Sequence, residues 1–234
     1  MFSKRGFTLA EVLITLGIIG VVAAMTLPTL IQRYQKNLTV NRLKQTYSIL
    51  LQAIQQSEAH NGELQYWDMG GLDDTQDVHG GDYEQNKIFY ERYFKPYLKI
   101  VKTCKPNSNE CWGENYKFLG DFPDNYRNGS ANNSYSVVLA NGTIFGVWAR
   151  NTWTEIWVDI NGPQNPNTAG KDVFFLMLLK DKGLIFYGLT EGADREYYKT
   201  QGYSCKKNHT MHSGAYCGAL IQTDGWEIKD DYPW

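Results

Sequence analysis

Glu11 is the only charged residue between Gly6 and Gln32, in the run "FTLAEVLITLGIIGVVAAMTLPTLI". A carboxylate inside an apolar segment of membrane length is costly and is ordinarily held by a partner, so it marks a functional position. Three other groups of residues are of types that do chemistry. Cys104, Cys111, Cys205 and Cys217 allow three pairings, of which the local scheme 104–111 and 205–217 closes two short loops. The last pair also brackets His209 and His212 in "CKKNHTMHSGAYC", a set able to hold a tetrahedral metal. Asp159, Asn161 and Asp172 surround the Gly162 turn and offer hard oxygens of the kind Ca²⁺ takes. Ca²⁺ needs 6–8 oxygens and the sequence shows about three, so a strand end followed by Asn/Pro/Gly turns is the favoured reading.

Trp148, Trp153 and Trp157 belong to an unusual complement of seven Trp and 16 Tyr. Aromatics on strands ordinarily pack across the sheet; the competing reading is a stacking face for a sugar or a protein. Catalytic signatures are missing: there is no G-x-S-x-G, H-E-x-x-H or P-loop, and Gly170-Lys171 lacks the flanking residues a P-loop needs. His60, His79, His209 and His212 have no evident nucleophile beside them. The chain is not expected to be an enzyme, and no cofactor is required.

Charge and composition divide the chain at the same place. Lys4 and Arg5 precede the apolar run 7–31, and Arg33, Lys36, Arg42 and Lys44 follow it. Residues 61–234 are acidic, so the net charge of −2 conceals a basic collar, which suits a helix leaving an anionic lipid surface. As a helix the apolar run extends ~37 Å, enough to cross a hydrocarbon core of about 30 Å with some tilt. It is too long for a secretory h-region, and "AAMTLPTL" is a poor cleavage site. Basic residues flank both ends, so the positive-inside count does not orient it.

"KRG" followed by "FTLAEVLITLGIIGVVAAMTLPTL" resembles the amino terminus of type IV pilins and of the pseudopilins of type II secretion. Gly6, Phe7 and Glu11 match the family pattern of a basic leader ending in Gly, then Phe, then Glu at the fifth mature position. Pro28 matches a proline common in the family. The resemblance covers about residues 1–60. It implies cleavage after Gly6 by a prepilin peptidase, which also methylates the Phe7 amine. It implies assembly in which Glu11 pairs with the Phe7 amine of a neighbouring pilin or pseudopilin, driven by filament assembly machinery. It further implies a bacterial inner-membrane protein with a single span and an extracytoplasmic head, which enters a pilus or a periplasmic pseudopilus. Some pseudopilins bind calcium in this part of the chain, but their ligands do not match these residues one by one.

The elements that position these residues follow from periodicity. Val40, Leu43, Tyr47, Leu50, Leu51 and Ile54 form a helical stripe that continues the apolar helix to about His60, ending at Asn61-Gly62. Pro28 is expected to kink this helix rather than end it. Residues 61–82 read as an irregular loop, 83–102 as helical around Pro96, and the stretch to 134 as a long loop. Strands follow at "SYSVVLANGTIFGVWA" around Asn141-Gly142, at "TEIWVDI", and at "DVFFLMLLKDKGLIFYGL". The expected fold is α+β and pilin-like: residues 1–6 a cleaved leader, 7–31 a transmembrane and polymerisation helix, 32–60 its amphipathic continuation. Residues 61–234 form a head with an antiparallel sheet of four or five strands packed on the helix.

Outside the cytoplasm cysteines pair, which favours Cys104–Cys111 and Cys205–Cys217 over a metal; pilin heads often carry a disulfide near the carboxy terminus, as the second pair does. The head shows no basic aromatic groove, so nucleic acid is not an expected partner. Two functions of different class stand: a structural pilin or pseudopilin subunit, and a membrane-anchored binding module with an aromatic ligand surface.

Overall fold

The computed structural model describes residue 6 and residues 8–70, 83–105, 110–112, 116–120 and 134–234. Leader residues 1–5, Phe7, His79 and most of the two long loops expected at 61–82 and 103–134 lie outside the described residues. Two compact units are present, residues 1–38 and residues 39–234.

In the first unit the helix α1 (Leu9–Asn61) begins and passes through Pro28. Apart from Ala23, every side chain from Thr8 to Gln35 is exposed, among them Leu13, Ile18 and Leu30 at 60–63 %. This helix is long and apolar enough to cross a membrane. Such a surface is stable only against lipid or other apolar helices.

The second unit opens on the rest of α1, where the periodicity becomes one-sided. Val40, Leu43, Leu50, Ala53 and Ile54 are buried against a sheet, with Tyr47 and Leu51 packed beside them. Tyr47 stacks on Phe186 with ring centroids 5.3 Å apart, and its hydroxyl donates to Leu184 O at 3.0 Å. The helix ends at Asn61 because Gly62 takes φ +85°, a conformation open to glycine.

Six antiparallel strands pair strictly in chain order: β1 (Ile100–Thr103), β2 (Tyr135–Leu139), β3 (Ile144–Ala149), β4 (Trp153–Asp159), β5 (Val173–Leu179) and β6 (Gly183–Phe186). The β2–β3 turn does use Asn141-Gly142. Gly142 N donates to Leu139 O, and Gly142 alone of the pair has positive φ, so it is a type I turn with a glycine bulge rather than a two-residue primed turn.

The extra strand comes from residues expected to be helical. The helix α2 spans only Tyr83–Tyr93, and a single 3₁₀ turn, Lys95–Tyr97, with Pro96 in its first turn separates it from β1. Pro96 has no N–H to continue the helix, and the exposed edge of β2 takes up Ile100, Lys102 and Thr103 instead. Two short helices were also not expected. In α3 (Arg195–Thr200) Asp194 caps Tyr197 N, and α4 (Cys217–Thr223) is buried from Cys217 to Ile221, which erases the polar face that would reveal it.

Period-2 alternation divides the sheet into two faces. Val137, Phe145, Val147, Ile156, Val158, Leu176 and Phe186 share the main core with α1 and α2. The opposite face carries Trp157 and Phe175. It is covered by Cys104, Cys111 and Trp112 at one end, and by residues 116–118 and 203–216 further along.

Candidate functional site

Glu155 lies on this second face, in β4 between β3 and β5. On β4 the residues Trp153, Glu155, Trp157 and Asp159 point the same way, while Thr154, Ile156 and Val158 point to the core. Antiparallel register sets Trp148 of β3 directly opposite Glu155 and Phe175 of β5 opposite Trp157. Sheet pairing thus gathers three tryptophans around one carboxylate, and the covering segment completes the walls. Leu119 N donates to Ser213 O at 2.7 Å and Asn208 N to Leu119 O at 2.9 Å, which fixes Phe118 against Phe175 and His212. The result is a cavity of about 250 Å³.

Its polar groups are few. Trp157 Nε1 donates to Glu155 Oε1 at 2.8 Å. Arg150, in the β3–β4 turn, lies between two indoles, its guanidinium 4.8 Å from the Trp148 ring centre and 5.2 Å from that of Trp153. Its Nε is buried and has no hydrogen-bond partner. Among the described residues no cation lies within ion-pair distance of Glu155. Burial pushes the Glu155 carboxyl up to about 7, against the opposing pull of Trp157 and the more distant Arg150 charge. The Tyr187 hydroxyl is raised by its burial and then by the neighbouring Glu155 charge.

Asp159, Asn161 and Asp172 also meet. Asp159 accepts from Asn161 N at 3.1 Å and from the Tyr116 hydroxyl. Asp172 accepts from Thr168 N at 2.6 Å, Asn167 N at 2.8 Å and Asn161 Nδ2 at 3.2 Å. Burial pushes Asp159 up to about 8, helped by the nearby Asp172 and resisted by its donors. Backbone and side-chain N–H donors and the Tyr116 hydroxyl face these carboxylates, so the cluster clamps the β4–β5 loop. No group of three or more His, Cys, Asp or Glu able to hold a metal occurs among the described residues.

Cys104 is bonded to Cys111 and Cys205 to Cys217. That removes the thiolates from the alternative metal set, and its histidines go elsewhere. His209 Nδ1 meets Ser204 Oγ at 2.8 Å, and His212 packs edge-on against Tyr203 and Phe118.

Gly6 is exposed. Glu11 Oε2 accepts from Thr8 N at 2.7 Å and Thr8 Oγ1 at 2.8 Å, while Glu11 N donates to Thr8 Oγ1 at 3.2 Å. This is a capping box, and its signature, Thr8-x-x-Glu11 ahead of an apolar run, is legible in the sequence although it was not anticipated there.

A family profile described as "Family of unknown function (DUF6613)" matches residues 29–234. The chain belongs to that family. A second profile, the prokaryotic N-terminal methylation motif, matches residues 1–27, so the DUF6613 head here follows a signal of the prepilin type. The two matches leave only Pro28 between them. No curated protein and no solved structure matches the chain.

Proposed function

We propose that the chain is a pilin or pseudopilin, a structural subunit of a type IV pilus or type II secretion filament. One observation carries the reading: a methylation motif at residues 1–27 coincides with a helix whose apolar surface has no partner within its own unit. In this reading prepilin peptidase cuts after Gly6 and methylates Phe7. The helix is held in the inner membrane with the head outside the cytoplasm, where the two disulfides form. Glu11 then pairs with the Phe7 amine of a neighbour and fixes the register of assembly.

The capping box supplies the test, because Gln serves at N3, the position of Glu11, as well as Glu does. Glu11→Gln keeps the capping box and removes only the charge; Glu11→Ala removes the charge and the side-chain half of the box, leaving Thr8 Oγ1 on the backbone N–H. Mass spectrometry of the membrane-extracted protein should show loss of residues 1–6 and one added methyl group. Both variants should be inserted and cut, yet both should be lost from sheared filament fractions in cells without a wild-type copy. Assembly of Glu11→Gln at the wild-type level would show that Glu11 is a helix cap and no more. The cavity on the sheet favours a second reading, an anchored binding module. A wild-type chain that is never recovered outside the membrane would support it.

A further inference from the structure

We infer that the cavity around Glu155 is a binding site for a small neutral saccharide, independent of whether the chain assembles. Three observations define the ligand. First, the walls are mostly ring faces and edges, including Trp148, Trp153, Trp157 and Tyr187, which suits the flat C–H face of a sugar ring better than a branched aliphatic group. Second, the cavity holds one carboxylate and one guanidinium, each with hydrogen-bonding capacity left for a ligand. Glu155 has a single hydrogen bond, through Oε1, and Arg150 Nε has none. Third, at about 250 Å³ it lies just below the ~300–1,000 Å³ of sites for larger ligands, which suits a single ring.

Charge decides between classes. A cation would satisfy Glu155 and the π faces, but Arg150 already stands over Trp148 and Trp153 and would repel it. An anion would satisfy Arg150 and be repelled by Glu155. A hydroxyl is both donor and acceptor, so neighbouring hydroxyls of one sugar can donate to Glu155 and accept from Arg150 without an unpaired charge. The carboxyl, pushed up to about 7 by burial, is as able to donate as to accept near neutral pH.

The test uses the full chain in a detergent without a sugar headgroup. Neutral hexoses, N-acetylhexosamines, their disaccharides and uronic acids are titrated while tryptophan fluorescence and thermal unfolding are followed. At least one neutral sugar should give a saturable fluorescence change and a raised unfolding temperature. Glu155→Gln and Trp153→Ala should each weaken it roughly tenfold or more, as expected for a lost charged hydrogen bond or stacking face. Trp153→Phe, which keeps a ring, should bind between the two, and unfolding curves confirm that each variant is folded. The proposal is overturned if no sugar in the set saturates. It is equally overturned if tetramethylammonium, a uronic acid or a free amino acid alone gives the response, or if folded Glu155→Gln and Trp153→Ala bind as wild type does.

Discussion

Replacing Glu155 by Gln should make the protein more stable at neutral pH while leaving it unchanged in acid. The Glu155 carboxyl titrates near 7 in the folded chain, against an ordinary value of 4.5. Between those values the folded state keeps a proton that the unfolded chain has released. Stability therefore falls as pH rises through that window, and the loss is complete above about 7. At 1.36 kcal/mol per unit the shift amounts to about 3 kcal/mol. Glu155 keeps part of its surface open to the cavity, where water screens it, so a difference of about 1–3 kcal/mol is expected. The amide oxygen of Gln can still accept from Trp157 Nε1, so no buried donor is orphaned. The assay is urea unfolding of the full chain in detergent at pH 4.5, 6, 7 and 8, for wild type and variant. Asp159 and Asp172 are common to both proteins and drop out of the difference. Coincidence at pH 4.5 with divergence above pH 6, the variant being the more stable, is the expected pattern. Parallel curves would refute the reasoning, because they would mean that Glu155 is as well solvated folded as unfolded. A carboxylate that lowers stability where an amide would not is the pattern expected of a binding group.

The double substitution of Cys205 and Cys217 by Ser frees a loop with a sequence separation of 12 and should cost about 3 kcal/mol, read as a lower denaturation midpoint. Loss of under about 1 kcal/mol would mean that packing alone holds residues 203–216. Gly218→Ala sets two effects against each other in α4. The added methyl would favour the helix by about 1 kcal/mol, but it would lie 2.3 Å from Phe186 Cδ1, an immobile core ring. Steric conflict should win, giving net destabilisation of about 1–2 kcal/mol by thermal unfolding; a stabilised variant would show that Phe186 can yield.

The division between what was legible and what was not follows how far each determinant reaches along the chain. The apolar run, the Gly6-Phe7 junction, the stripe from Val40 to Ile54 and the Asn141-Gly142 turn depend on neighbours a few residues away, so the sequence alone declares them. The two disulfides were also favoured there, since each joins residues separated by 7 or 12 positions. Strand β1 was not legible: Ile100–Thr103 is extended because β2, more than 30 residues later, offers an edge, and local periodicity favoured helix. Helix α4 was hidden for the opposite reason, since full burial leaves no polar face to set a period. The site shows both regimes at once. Period-2 alternation already set Trp153 and Trp157 on one face. That Glu155 stands between them opposite Trp148, with Arg150 held between two indoles, was decided by the β3–β4 register and by covering segments at 116–118 and 203–216, distant in the chain. Which buried charge lacks a partner is a property of every element around it, so only the tertiary structure could supply it.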